Sequence, residues 1–270
     1  MPLFRKQPSG PDGPLGDLFE TIGLPATRER EGWAAPIGPT VLYMSWIDKG
    51  RVLSGFAPLA DAEGAAELRD LLHRNLEPRL TWFSRGGTGE DGGLGARFAV
   101  PLDPFDPGAV RLAVEALART LGADDVADRA RRPTGGERAE QAAESGAREA
   151  LEAALGAARL QATADDEHAG VWRVEAGGRA LDAVLRDTGE SVLLMHQLEY
   201  AAGDEDPEVL RWLLLASDWG SARLGMADLP GGPGLFAAAV VATTSAEPPV
   251  AWGVEQVLEL AREYDRRSGG

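Results

Sequence analysis

The sequence predicts an α+β protein made of two tandem α-β-β-β-α-β-β-α units, each an antiparallel sheet with helices packed mainly on one face. Three observations predict it. A helix, a hairpin and a second helix read from Glu67 to Leu121 recur from Asp204 to Tyr264, about 140 residues later. The helices of both stretches carry single apolar stripes, and the strands alternate apolar with polar residues.

The elements follow in order. Met1 to Pro14 is rich in Pro, Gly and basic residues without periodicity, and reads as a mobile arm. Leu15, Leu18, Phe19 and Ile22 share one helical face, and Gly23 with Pro25 ends that helix. Three strands are expected next. Trp33 lies in the first, Thr40 to Asp48 forms the second, and Arg51 to Pro58 the third, with Asp48-Lys49-Gly50 as the turn. Leu68-Arg69-Asp70-Leu71-Leu72 opens a helix, Arg79 to Ser84 and Leu94 to Leu102 form a hairpin, and Val110, Val114, Leu117 and Leu121 mark the closing helix.

Gly122 to Gly146 lacks a sustained apolar stripe and contains Arg129, Arg131, Arg132 and Pro133-Thr134-Gly135-Gly136, so it reads as a linker between a first repeat, 15–121, and a second, 147–267. The order then restarts. Ala147 to Ala162 reads as a helix, and strands follow at Gly170 to Glu175, Arg179 to Arg186 and Glu190 to Tyr200. Asp206-Pro207-Glu208 begins a helix in the way the helix dipole favours. Leu210-Arg211-Trp212-Leu213-Leu214 matches the run from Leu68. A hairpin from Ser221 to Asp228 and Leu235 to Ala242 leads to Val250, Val254, Val257 and Ala261, which repeat the spacing of the first closing helix. Trp172 answers Trp33, Phe236 is placed opposite Phe98, and Ser217 stands where Asn75 does.

Composition narrows the function. The 270 residues, 44% of them apolar, suffice for a real core in each half. With 43 acidic against 27 basic residues the net charge is −16, which repels phosphate backbones and anionic membranes. There is no Cys, which excludes disulfides and thiolate chemistry. No secretory signal or membrane-length apolar run is read, so the cytoplasm is the expected location.

Sharper motifs are weak. Gly87-Thr88-Gly89-Glu90-Asp91-Gly92 has dinucleotide-loop spacing, but it runs into a strand and carries two carboxylates, so a hairpin loop is the better reading. His73, His168 and His196 lack ligand spacing, and His196 reads as a hydrogen-bonded structural residue within a strand. Asp165-Asp166-Glu167 and Asp204-Glu205-Asp206 lack the pattern of a calcium loop and read as solvated turns or caps. No catalytic residue, cofactor or metal ligand is assigned.

The seven tryptophans, Trp33, Trp46, Trp82, Trp172, Trp212, Trp219 and Trp252, carry more weight, because Trp is enriched at binding hot spots. Core packing accounts for most of them. Trp212 and Trp252 depart from the apolar stripes of their helices, and with Trp46 and Trp82 they form the candidate partner-binding set.

The run from helix through hairpin to a helix with an apolar-acidic-aromatic ending is Leu68 to Asn75, Leu94 to Leu102 and Val110 to Leu121 in one half. In the other it is Leu210 to Ser217, Leu235 to Ala242 and Val250 to Tyr264. These stretches resemble the YbjN-like family, whose fold is shared with the small acidic chaperones of type III secretion. The resemblance implies a binding module without catalysis that dimerises or, with two joined copies, imitates a dimer. The expected function is therefore a non-enzymatic protein-interaction or chaperone-like module, with a small-molecule-binding regulatory domain as the alternative. Charge points to a basic protein partner, such as a single-stranded-DNA-binding protein, with no direct nucleic-acid contact.

Overall fold

The computed structural model describes residues 12–30, 32–62, 64–77, 79–86, 93–103, 105–131, 140–186, 189–200, 206–217, 221–245 and 247–268. The readings placed on 1–11, on the Gly87–Gly92 loop, on 132–139, on Asp204 and Glu205 and on Trp219 lie outside them. The first half runs α1 (Asp12–Thr21), β1 (Thr27–Arg28), β2 (Gly32–Ile37), β3 (Thr40–Ile47), β4 (Val52–Pro58), α2 (Ala65–Arg74), β5 (Trp82–Gly86), β6 (Gly93–Pro101) and α3 (Pro107–Thr120). After α4 (Asp124–Arg131) come α5 (Glu140–Ala157), β7 (Gln161–Ala164), β8 (Val171–Ala176), β9 (Arg179–Leu185) and β10 (Ser191–Leu198). The second half closes with α6 (Pro207–Ala216), β11 (Arg223–Leu229), β12 (Gly232–Ala242) and α7 (Val250–Ser268).

The two sheets have one topology. The first is ordered β1-β2-β3-β4-β6-β5, and the second, read from its other edge, β7-β8-β9-β10-β12-β11, with every pairing antiparallel. This is an α+β chain consistent with two tandem units. Each sheet has six strands rather than the expected five, because β1 and β7 add short edges that carry little apolar alternation.

Register gives the correspondence residue by residue. Across the first sheet Trp33 pairs with Met44, Met44 with Gly55 and Gly55 with Phe98. Across the second, Trp172 pairs with Ala183, Ala183 with Leu194 and Leu194 with Ala239. Trp172 therefore does answer Trp33, but Phe98 corresponds to Ala239 and not to Phe236. The halves exchange large for small at one site. A Cβ on Gly55 would lie 2.2 Å from the Phe98 ring, so the ring occupies the space that Leu194 fills in the second half.

These rows face the helices. Val110, Val114 and Leu117 of α3 and Val250, Val254 and Val257 of α7 are buried, each such side chain contributing roughly 1.5–3 kcal/mol. Phe19 of α1 meets Trp33 edge-on with ring centroids 5.4 Å apart, and Arg148 of α5 lies 5.4 Å from the centroid of Trp172. Both α3 and α6 begin on an Asp-Pro pair. Asp106 accepts from the Gly108 amide and Asp206 from the Glu208 amide, each at 2.8 Å.

Several boundaries differ from the sequence reading: the helix expected over Ala147 to Ala162 ends at Ala157, with Gln161 and Ala162 in β7, and the strand expected at Arg79 to Ser84 is Trp82–Gly86. The expected 122–146 linker contains α4 and the start of α5, because Val126, Ala127 and Ala130 form a short apolar face buried in the core. The expected 1–14 arm ends earlier, with α1 starting at Asp12.

The halves meet where β5 and β11 leave each sheet with an open edge. α2 packs on α6 and crosses to β11, while α6 crosses to β5. The approach is close: a Cβ on Gly225 of β11 would fall 2.6 Å from Leu76 and 3.1 Å from the Leu72 carbonyl oxygen. Asn75, fully buried at the end of α2, accepts from the Phe83 amide at 2.7 Å and donates to the Phe83 carbonyl at 3.0 Å. Its Nδ2 also donates to the Leu224 carbonyl across the junction at 2.9 Å. Ser217, its counterpart, accepts from the Leu224 amide at 2.9 Å and donates to the Leu213 carbonyl at 3.1 Å.

The first residues of the two edge strands also cross. Trp82 Nε1 donates to the Ser217 carbonyl at 3.1 Å. The Arg223 guanidinium donates to the carbonyls of Glu77, Arg79 and Thr81 at 2.8, 3.0 and 3.1 Å. Burial lowers the Arg223 pKa to about 9 despite the favourable charge of Glu77. That value leaves it charged at neutral pH, solvated by carbonyl dipoles instead of water.

Replacing Asn75 by Ala removes three buried hydrogen bonds and strands an amide and two carbonyls. Asn75→Ala is expected to lower unfolding free energy by about 3 kcal/mol, measured by urea denaturation. A loss under about 0.5 kcal/mol would show that the edge groups find other partners.

Candidate functional site: the open face of the first sheet

One cross-strand row shows which face is free. Tyr43 pairs with Phe56, Phe56 with Arg97 and Arg97 with Trp82. Side chains alternate along each strand, so this row lies opposite the buried Met44–Gly55–Phe98 row. Tyr43 is 50% exposed, Phe56 and Arg97 are half-buried, and Trp82, under α6, is 4% exposed. The Arg97 guanidinium lies 5.0 Å from the centroid of Phe56. On the same parity of β3 stand Val41, half-buried, and Ile47, 37% exposed. The result is a sheet face open at β3 and bounded by α6 at β5, with Tyr43 and Phe56 separated from Ile47 by the Ser45–Ser54 pair.

The second sheet makes a contrast. Its matching row is Arg173, Asp182, Met195, Ala238 and Arg223. Arg173 Nη1 donates to Asp182 Oδ1 at 2.7 Å, so this face carries an ion pair where the first carries Ala34 and Tyr43, while Met195 stands where Phe56 does. Of the large hydrophobic residues that stand exposed among the described ones, Tyr43 and Ile47 lie on the first face and Leu229 ends β11.

The four candidate tryptophans do not form one surface. Trp82 is sealed between the halves, which removes it as a contact for an outside partner and makes it an internal one. Trp46 is half-buried on β3, with the Arg28 guanidinium 4.5 Å from its ring centroid and 5.7 Å from that of Trp33. Trp212 is half-buried against Tyr264 of α7, ring centroids 5.9 Å apart, and Trp252 packs half-buried against the core. Tyr43 and Ile47, the exposed apolar residues of the open face, lie outside the tryptophan set. The available signal was in Thr40 to Ile47, where both alternating sets contain large apolar residues although one of them faces solvent.

The polar candidates have structural partners. His196 Nδ1 lies 2.8 Å from the Ala180 carbonyl and must donate to it, which leaves Nε2 to accept from Arg179 at 2.9 Å. Arg179 also bonds Asp265, fastening the end of α7 to β9. Asp165 accepts from the amides of Glu167 and His168 at 2.8 and 2.9 Å, which turns the chain between β7 and β8 and holds the Asp165 pKa down. His73 lies 3.4 Å from Arg69 Nε on α2. Among the described residues no three His, Asp or Glu side chains converge as metal ligands, and no helix is long and apolar enough to cross a membrane.

Comparison of the chain with known protein families, curated proteins and solved structures finds no match.

Because Tyr43 and Ile47 contribute little to the core, the double substitution Tyr43→Ser/Ile47→Ser is expected to change stability by no more than about 1 kcal/mol, whereas Trp82→Ala costs about 3–5 kcal/mol. Thermal and urea unfolding of both variants measures the difference. Equal losses would mean that the open face is part of the core.

Proposed function

We propose that the protein is a non-enzymatic protein-binding or chaperone-like module, a pseudo-dimer of two YbjN-like units in one chain, that holds a segment of a basic partner against the first sheet. The observation that carries this reading is the divergence of two otherwise matching faces. Where the second sheet sets Asp182 in an ion pair with Arg173, the first exposes Tyr43 beside the half-buried Phe56 and, beyond the Ser45–Ser54 pair, Ile47. Exposed apolar patches of this kind favour an interface, and aromatic side chains supply most of the binding energy at such surfaces. The −16 charge supplies selection and encounter rate for a positively charged partner. A basic nucleic-acid-handling protein, such as a single-stranded-DNA-binding protein, has the matching chemistry, and the contact is with the protein rather than its nucleic acid.

The test is a titration of the partner captured from native cytoplasm against wild type and Tyr43→Ser/Ile47→Ser at rising salt. Association should slow as salt screens charges beyond about 8 Å, and the double variant should weaken binding at least about tenfold at every salt concentration. An acidic partner bound without salt dependence, or one indifferent to both substitutions, would contradict the proposal.

A further inference from the structure

A second surface lies between the halves and has the opposite electrostatic character. A cleft of about 130 Å³ is lined by Arg79 after α2, by Leu112, Glu115, Ala116 and Arg119 of α3, and by Arg131 at the end of α4. The second half closes it with Arg186, Glu190 and Ser191. Four arginines meet two glutamates here, in a chain whose acidic residues outnumber its basic ones, 43 to 27.

The carboxylates leave part of this charge unused. Arg119 is bonded to Glu115 at 3.1 Å and to Asp128 at 3.3 Å, and Arg79 to Glu77 at 2.9 Å. Arg131 reaches only to 4.0 Å of Glu115, and Arg186 to 3.9 Å of Glu190. Both separations exceed hydrogen-bond length, and among the described residues neither guanidinium has a hydrogen-bonded acceptor.

The related cleft on α7 shows the alternative. It is lined by Ala222, Gln256, Glu259, Leu260, Arg262, Glu263, Arg266 and Arg267. By the matching stripes of the two closing helices, Glu259 stands there where Arg119 stands in the first half. Its arginines are also satisfied: Arg262 donates to the Leu258 carbonyl at 3.0 Å, and Arg266 and Arg267 both pair with Glu263.

We propose that the cleft between α3 and the second sheet binds a doubly charged tetrahedral oxyanion, either free phosphate or the phosphate group of a small monoester. Arg131 and Arg186, ion-paired at a distance but hydrogen-bonded to no carboxylate among the described residues, supply the planar donors, one from each half, and guanidinium is the side chain best matched to phosphate oxygens. Arg119, held by Glu115, adds charge alongside them. The volume accommodates one such group. Such an anion would bridge the halves at a place remote from the open face of the first sheet.

Isothermal titration of the full chain with inorganic phosphate, at ionic strength held constant with sodium chloride, tests this. Saturable binding is expected, weakened at least about tenfold in Arg131→Gln/Arg186→Gln and unchanged in Arg266→Gln/Arg267→Gln. A parallel titration with glycerol phosphate separates the sources: comparable affinity identifies the phosphate group of a monoester as a ligand, and lost binding restricts the site to the free ion. Absence of saturable phosphate binding, or equal binding by wild type and Arg131→Gln/Arg186→Gln with both variants folded by circular dichroism, would overturn the assignment.

Discussion

An antiparallel sheet with an open edge presents a row of unpaired amides and carbonyls, and each half of this chain has such an edge in its interior, at β5 and at β11. The Asn75 carboxamide finishes one edge as a neighbouring strand would, accepting from and donating to Phe83, and its remaining N–H reaches the Leu224 carbonyl of the other. Ser217 completes Leu224 from the opposite side. Asparagine suits this place because its amide offers two donors and an acceptor on one planar group, whereas serine can serve only its own strand and helix. Packing of α2 on α6, the crossing of Trp82 and the burial of Arg223 all follow from bringing these edges together. Each half thus closes a surface that would otherwise be exposed in the other.

The two matching halves differ away from that junction. The buried rows changed in compensated ways, Gly55 with Phe98 standing for Leu194 with Ala239, so volume was kept while individual residues were not. The open faces changed without compensation. Tyr43 is exposed on one, and Asp182, in its place on the other, is paired with Arg173. A symmetric dimer of identical chains would display two equal faces. One covalent chain displays two different ones, and with it an arginine cleft on α3 whose relative on α7 holds its arginines on Glu263 and the Leu258 carbonyl.

Much of the fold was legible because it rests on local periodicity. The stripes of α3 and α7, the Asp-Pro start of α6 and the match of Trp33 with Trp172 are all properties of neighbouring residues. The errors arose where a single element says little about itself. β1 and β7 are too short to alternate, and α4 offers only Val126, Ala127 and Ala130 as an apolar face. Phe98 was matched to Phe236 by residue type, and only the ladder register moved it to Ala239. The site was less legible than the fold. Aromatic identity drew attention to Trp82, which the other half buries, while Tyr43 and Ile47 passed as ordinary strand residues because exposure depends on which face a helix covers. Asn75 could be seen to differ from Ser217, but its role required both edge strands to be in view.

Joined through their finished edges, the two halves form one cooperative structure. Native-state hydrogen exchange at the Phe83 and Leu224 amides, one from each half, tests it most directly. If the junction holds as described, both amides exchange only through global unfolding, with the same opening free energy and the same denaturant dependence. Exchange of either amide through a lower-energy opening, while the buried strands of both sheets remain protected, would show that the halves separate without unfolding and would contradict the account.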